Sequence, residues 1–146
     1  MVVLFVFVSC KQTKITETPL APHLFVSMSK TPCYGQCPVY SFELFSDGTI
    51  DFTGKRFVKF EGHYKGQISD EQIHLIKEQI KSTNFFELES KYDSKATDIP
   101  TCIIQVVIEE QNKTITDRMG APKELKELEK MIEEIVLNSK MEKVEV

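Results

Sequence analysis

Cys33 and Cys37 lie in the stretch Thr31-Pro32-Cys33-Tyr34-Gly35-Gln36-Cys37-Pro38, and their thiols offer three chemistries. In an oxidising compartment the pair closes a small disulfide loop, with Gly35 able to take a positive φ and prolines bracketing the pair. Chain entropy makes so short a loop worth about 2 kcal/mol, which shapes a turn without holding a domain together. The second chemistry is a redox-active dithiol. Tyr34, Gly35 and Gln36 supply no cation to depress a thiol pKa, and the spacing is not C-x-x-C, so the local chemistry disfavours it. The third is a soft-metal site, in which two thiolates and an imidazole hold Cu(I) or Zn; His63 is the imidazole to nominate.

The first residues choose among these by naming a compartment. Met1 to Cys10 read MVVLFVFVSC, an unbroken apolar run that gives way at once to Lys11-Gln12-Thr13-Lys14. The run resembles the end of a bacterial lipoprotein signal peptide, where the thiol is acylated and the chain is cut just before it. It is too short for a spanning helix, which needs about 18 apolar residues. The resemblance implies a signal peptide over residues 1–9, lipidation at Cys10, and a Thr- and Pro-bearing tether over residues 10–22. The expected address is the periplasmic side of a membrane, with the bilayer itself as a partner through the anchor. The four cysteines then divide into one lipidated, one pair, and Cys102 buried as a small hydrophobe.

The remaining composition suits a single α+β domain over residues 23–139 followed by a tail, 140–146. Of the 146 residues 41% are hydrophobic, enough for a modest core. The net charge of −4 and the lack of a basic stripe argue against nucleic acid as a partner. No Ser-His-Asp or HExxH pattern stands out, so the chain is read as a non-enzyme with no cofactor.

The elements that position the cysteines follow from periodicity. Leu24, Val26 and Met28 alternate, as do Tyr40, Phe42 and Leu44, then Ile50 and Phe52 beyond an Asp47-Gly48 turn. Thr53-Gly54-Lys55 predicts a second turn, with Val58, Phe60 and Tyr64 sharing the apolar face of the next strand. Cys102, Ile104, Val106 and Ile108 alternate again, Gln111-Asn112 predicts a turn, and Lys113 to Arg118 a last strand. Ser69 and Gln72 form a capping box ahead of a helix with an Ile73, Ile76, Ile80 stripe. Gly120-Ala121-Pro122 opens a second helix, with Leu125, Leu128, Ile132, Ile135 and Val136 on one side and a Lys/Glu face read as solvated. The expected architecture is a two-layer sandwich in the order ββββαββα. It has a mostly antiparallel sheet of about six strands, both helices on one face, and a wet face carrying Ser41, Glu43, Asp51 and Lys59.

The long connection from Glu89 to Thr101 is the other candidate surface, because a dozen residues without periodicity are long for a compact domain. Tyr92, Asp93 and Asp98 lie in it, and the two Asp residues either fix the loop or form half of a cation site. Taken together, TPCYGQCPVY, SDGTI, GKRFVKFEGHYKGQIS, TDIPT and APKELKELEK resemble a bacterial family of unknown function found mainly in exported proteins and lipoproteins, over about residues 24–136. The resemblance implies that Pro32, Cys33, Gly35, Cys37, Pro38, Asp47, Gly48, Asp98 and Pro100 belong to a recurring scaffold, and it implies no activity. The resulting expectation is a lipid-anchored envelope protein that binds or scaffolds an unknown envelope protein or ligand. The alternative is a periplasmic metal or redox carrier using Cys33 and Cys37, whose C-x3-C spacing resembles the copper-binding segment of thioredoxin-like copper-delivery proteins.

Overall fold

Alternating side chains make strands only when neighbours cover one face, and here seven such segments and a short eighth join in one sheet. The computed structural model describes residues 21–96 and 98–145. The strands are β1 (Leu24–Lys30), β2 (Val39–Phe45), β3 (Thr49–Arg56), β4 (Gly62–Gln67), β5 (Lys91–Tyr92), β6 (Cys102–Ile108), β7 (Gln111–Asp117) and β8 (Lys140–Lys143). Their order across the sheet is β5-β7-β6-β1-β2-β3-β4-β8. All neighbours are antiparallel except β5 and β7. Helix α1 (Asp70–Ser82) follows β4, and α2 (Lys123–Leu137) connects β7 to β8.

Both helices cover the same sheet face. Val26, Met28, Tyr40, Phe42, Leu44, Ile50, Phe52, Ile104, Val106 and Ile115 form one core with Ile73, Ile76 and Ile80 of α1 and Leu125, Leu128, Ile132 and Val136 of α2. The opposite face carries Ser27, Ser41, Glu43 and Asp51 outside the core, as the alternation predicts. The capping box on α1 is present, with Ser69 Oγ accepting from Gln72 N and Gln72 Oε1 accepting from Ser69 N.

Two strands exceed the expected six. β8 occupies residues read as a tail; it pairs with β4 from Gln67↔Lys140 to Tyr64↔Lys143. β5 is only two residues long, below the length at which alternation is visible.

Two turns fall elsewhere than the sequence suggests. β3 runs straight through Thr53-Gly54-Lys55, and the chain reverses at 57–61, with Phe57 at φ 55° and Gly62 at φ 106°. Lys59 therefore sits in that turn and not on a strand. Gly54 is required for space: a Cβ there would lie 1.8 Å from the carbonyl oxygen of Phe60, where the turn folds back over β3. The β6–β7 hairpin turns at Glu109-Glu110, with Glu109 at φ 54°, and Gln111 and Asn112 already pair with β6. Asp47-Gly48 is a turn as expected; Gly48 takes φ 82° and Asp47 Oδ1 accepts from Thr49 N.

Strand direction sorts the connections to two poles. β1, β3, β5 and β7 end at one pole, and β2, β4 and β6 begin there. That pole holds residues 31–38, 57–61, 93–96, 98–101 and 118–122. The described chain enters at the opposite pole, where His23 N donates to Ser46 Oγ and His23 O accepts from Ser46 N.

Candidate functional site

The disulfide predicted for Cys33 and Cys37 is formed, with their Cα atoms 5.7 Å apart. It closes the β1–β2 connection into a small loop that raises the Tyr34 ring into solvent, 92% exposed. The loop is tied to the second predicted surface. Tyr34 N donates to Asp98 O at 3.4 Å, Thr31 N to Thr101 O at 3.0 Å, and Thr101 N to Thr31 Oγ1 at 2.9 Å. Arg118 Nε adds a bond to Thr101 Oγ1. Two segments separated by about sixty residues of sequence thus make one continuous rim.

Within the long connection the nominated residues hold the loop. Tyr92 is half-buried in β5, and its hydroxyl accepts from Glu89 N. Asp93 pairs with Lys91 at 2.9 Å and Arg118 at 3.6 Å. The hydrogen bond from Lys91, then that from Ser94 N, holds its carboxyl below the usual range. Asp98 is exposed and gives its carbonyl to the disulfide loop.

His63 is not brought to the cysteines. It stands on the open sheet face, with Nε2 2.8 Å from Asp51 Oδ1. Among the described residues no group of three or more His, Cys, Asp or Glu is arranged to hold a metal ion. Cys10, and with it the signal segment and most of the tether, lies outside the described residues.

Beneath the rim is a cleft of about 280 Å³ that the sequence reading missed. Cys37, Pro38, Pro100 and Thr101 form one wall, the start of β6 and end of β7 the floor, and α2 the other wall. Its floor is charged. Asp117 is 1% exposed and Glu129 5% exposed, both beside Cys102, which is buried as predicted. Lys126 bridges the two carboxylates: Nζ bonds Asp117 Oδ2 and lies 3.6 Å from Glu129 Oε2. Asp117 Oδ1 and Glu129 Oε1 are buried without a hydrogen bond from nitrogen or oxygen, Asp117 Oδ2 has the Lys126 ion pair alone, and the Cys102 thiol bonds the Glu129 carboxylate.

Farther along α2, Glu133 is fully engaged. Oε2 accepts from Lys30 at 2.6 Å and Oε1 from the Tyr40 hydroxyl at 2.5 Å. Burial, then the bond to Glu133, pushes the Tyr40 phenol far above its usual range and keeps it a donor. Burial likewise pushes the Cys102 thiol up, with Glu129 adding to it, so the sulfur stays protonated and unreactive. Glu129 feels burial most and the nearby charge of Asp117 as well; Lys126 opposes both, and its carboxyl is pushed up to about 7. Burial opposes the charge on Lys126, but the bond to Asp117 and the attraction of Glu129 outweigh it and raise the ammonium.

Reading the Lys/Glu side of α2 as uniformly solvated therefore fails at Glu129. The signal was present: Glu129 is four residues after Leu125 and three before Ile132, inside the apolar stripe. Asp117 carried a similar signal, two residues beyond Ile115 on the inward parity of β7.

A family model for a domain of unknown function, DUF6438, covers residues 24–136. The chain belongs to that family. The matched span runs from β1 into the last turn of α2, so it contains the disulfide loop, the cleft and its charged floor. A search of curated proteins finds no match to the chain.

Proposed function

We propose that this chain is a non-catalytic binding module of the bacterial cell envelope, held to a membrane by lipid on Cys10, which recognises its partner with the loop pole of the sheet. One observation carries the reading: two buried carboxylate oxygens without a hydrogen bond, on Asp117 and Glu129, lie just beneath a cleft walled by Cys37 and Pro38 of the disulfide loop and by Pro100 and Thr101. A folding chain leaves such atoms bare at a cost of about 1–3 kcal/mol each, which a ligand can recover. The exposed side chains of Tyr34, Phe57 and Met119 all lie in loops of the same pole, a concentration of apolar contact area suited to a partner.

Tether geometry favours the same face. The described chain enters at the opposite pole, so a lipid on Cys10 biases the loop pole away from its own membrane. Cys102 lies beside the Glu129 carboxylate, but burial holds its thiol protonated, and Tyr40 is committed to Glu133, so neither supports nucleophilic chemistry as placed. The thiol-carrier alternative requires the Cys33–Cys37 bond to open first.

Site-specific photocrosslinking in intact cells tests the proposal. A crosslinker at Tyr34 or Met119 should give a discrete adduct that one at Thr114, on the open sheet face, does not. Mass spectrometry of the same product should find Cys10 as the acylated first residue. An unmodified Cys10, or adducts indifferent to position, would overturn the reading. Stoichiometric thiol labelling without reductant would favour the carrier instead.

A further inference from the structure

The charged floor of the cleft is short of one positive donor. Asp117 and Glu129 share Lys126, each giving it one oxygen, while Glu133 is satisfied separately by Lys30 and Tyr40. Lys130, which also lines the cleft, is exposed and pairs with Glu134, so among the buried groups one negative charge and two acceptor atoms, Asp117 Oδ1 and Glu129 Oε1, are left over. From this arrangement, and resting on the binding-module reading, we propose that the cleft receives a primary ammonium group, from a small amine or from a lysine side chain, which donates to those two oxygens.

The alternatives fit less well. A guanidinium binds best through two parallel bonds to both oxygens of one carboxylate, and here Lys126 takes Asp117 Oδ2 and stands 3.6 Å from Glu129 Oε2, crowding that approach at both groups. An ammonium has three donors that can be aimed at single oxygens of separate groups. A hard metal ion needs about six oxygen ligands, and the described residues hold no such cluster. A proton on Glu129 cancels the charge, yet supplies one O–H where two acceptors are open. An anion would meet the surplus negative charge directly. The wall made by Pro38, Pro100 and the Cys37 end of the disulfide offers apolar surface to the carbon chain of an amine.

The test is amide-resolved NMR titration and calorimetry of the full chain above neutral pH, with n-butylammonium and Nα-acetyl-lysine methylamide as the two sources. Tetramethylammonium, a cation without N–H donors, and n-butanol, the uncharged analogue, are the controls. Saturable shifts confined to Thr101, Asp117 and the Lys126–Glu133 turns with either amine support the proposal, and the tighter of the two identifies the source. Tetramethylammonium and n-butanol should bind at least about tenfold more weakly, because each lacks one half of the recognition. Glu129→Gln, and separately Asp117→Asn, should weaken the amine at least about tenfold while the rest of the amide spectrum shows the fold intact. No saturable shift, equal binding of tetramethylammonium, or indifference to Glu129→Gln in a folded variant overturns it. Failure of the amines alongside position-specific crosslinks from Tyr34 removes the ammonium and leaves the binding pole; amine binding without such crosslinks does the reverse.

Discussion

Replacing Glu129 by Gln should stabilise the protein at alkaline pH and leave it unchanged in acid. In the folded state burial and Asp117 push the Glu129 carboxyl up to about 7, against 4.5 when exposed. A raised carboxyl costs nothing below the unfolded value, where it is protonated in both states. The cost grows as pH rises between the two values and is complete above the folded one. At about 1.4 kcal/mol per tenfold change in the proton equilibrium, the full difference is on the order of 3 kcal/mol. Gln keeps the shape and carries no charge, and Lys126 retains its bond to Asp117 in the variant. Urea unfolding of both proteins from about pH 4 to about pH 8.5 gives the comparison. The gain from the substitution should be near zero at the acid end, climb through the window from 4.5 to about 7, and then level off. A difference that stays constant with pH, or grows toward acid, would refute the assignment of Glu129 as a buried carboxylate that ionises at a cost.

Two further outcomes follow from the loops. Reducing the Cys33–Cys37 bond should lower unfolding free energy by about 2 kcal/mol, the value for so short a loop, and urea melts with and without reductant measure it. Gly54→Ala should cost at least about 3 kcal/mol, because the added methyl meets a backbone carbonyl that cannot step aside without reopening the 57–61 turn. A thermal melt of that variant within a degree or two of the parent would contradict the close approach.

The parts of the fold that were legible share one property: a local rule and the tertiary context asked for the same residue. Ser69 with Gln72 stops the preceding strand and starts a helix by hydrogen bonds alone, and Asp47-Gly48 makes its turn by its own backbone preference. The disulfide was legible because two cysteines four apart can close a small loop, although Gly35 does not take the positive φ that the sequence suggested. Gly54 misled because its purpose is space for Phe60, a contact invisible in the strand that contains it. Glu109 at positive φ displaced the β6–β7 turn by two residues, since a bare Glu-Glu step carries no turn signature. The candidate site was half legible. Its rim was read from cysteine spacing and loop length, whereas its floor hid in two acidic residues that single-element patterning assigns to solvent.

The last strand has a practical meaning for anyone who wishes to isolate this domain. The family match stops at residue 136, yet β8 lies beyond it and shields the outer edge of β4, with Met141 laid across Gly66. A fragment trimmed to the matched span would bare the amide and carbonyl row of a glycine-bearing strand and invite copies to stitch together edge to edge. Lys140, Glu142 and Lys143 guard the border that β8 creates, since their charges discourage any further strand from joining. The folded unit is therefore a few residues longer than its family outline, and those few residues cover an edge that the matched span alone would leave open.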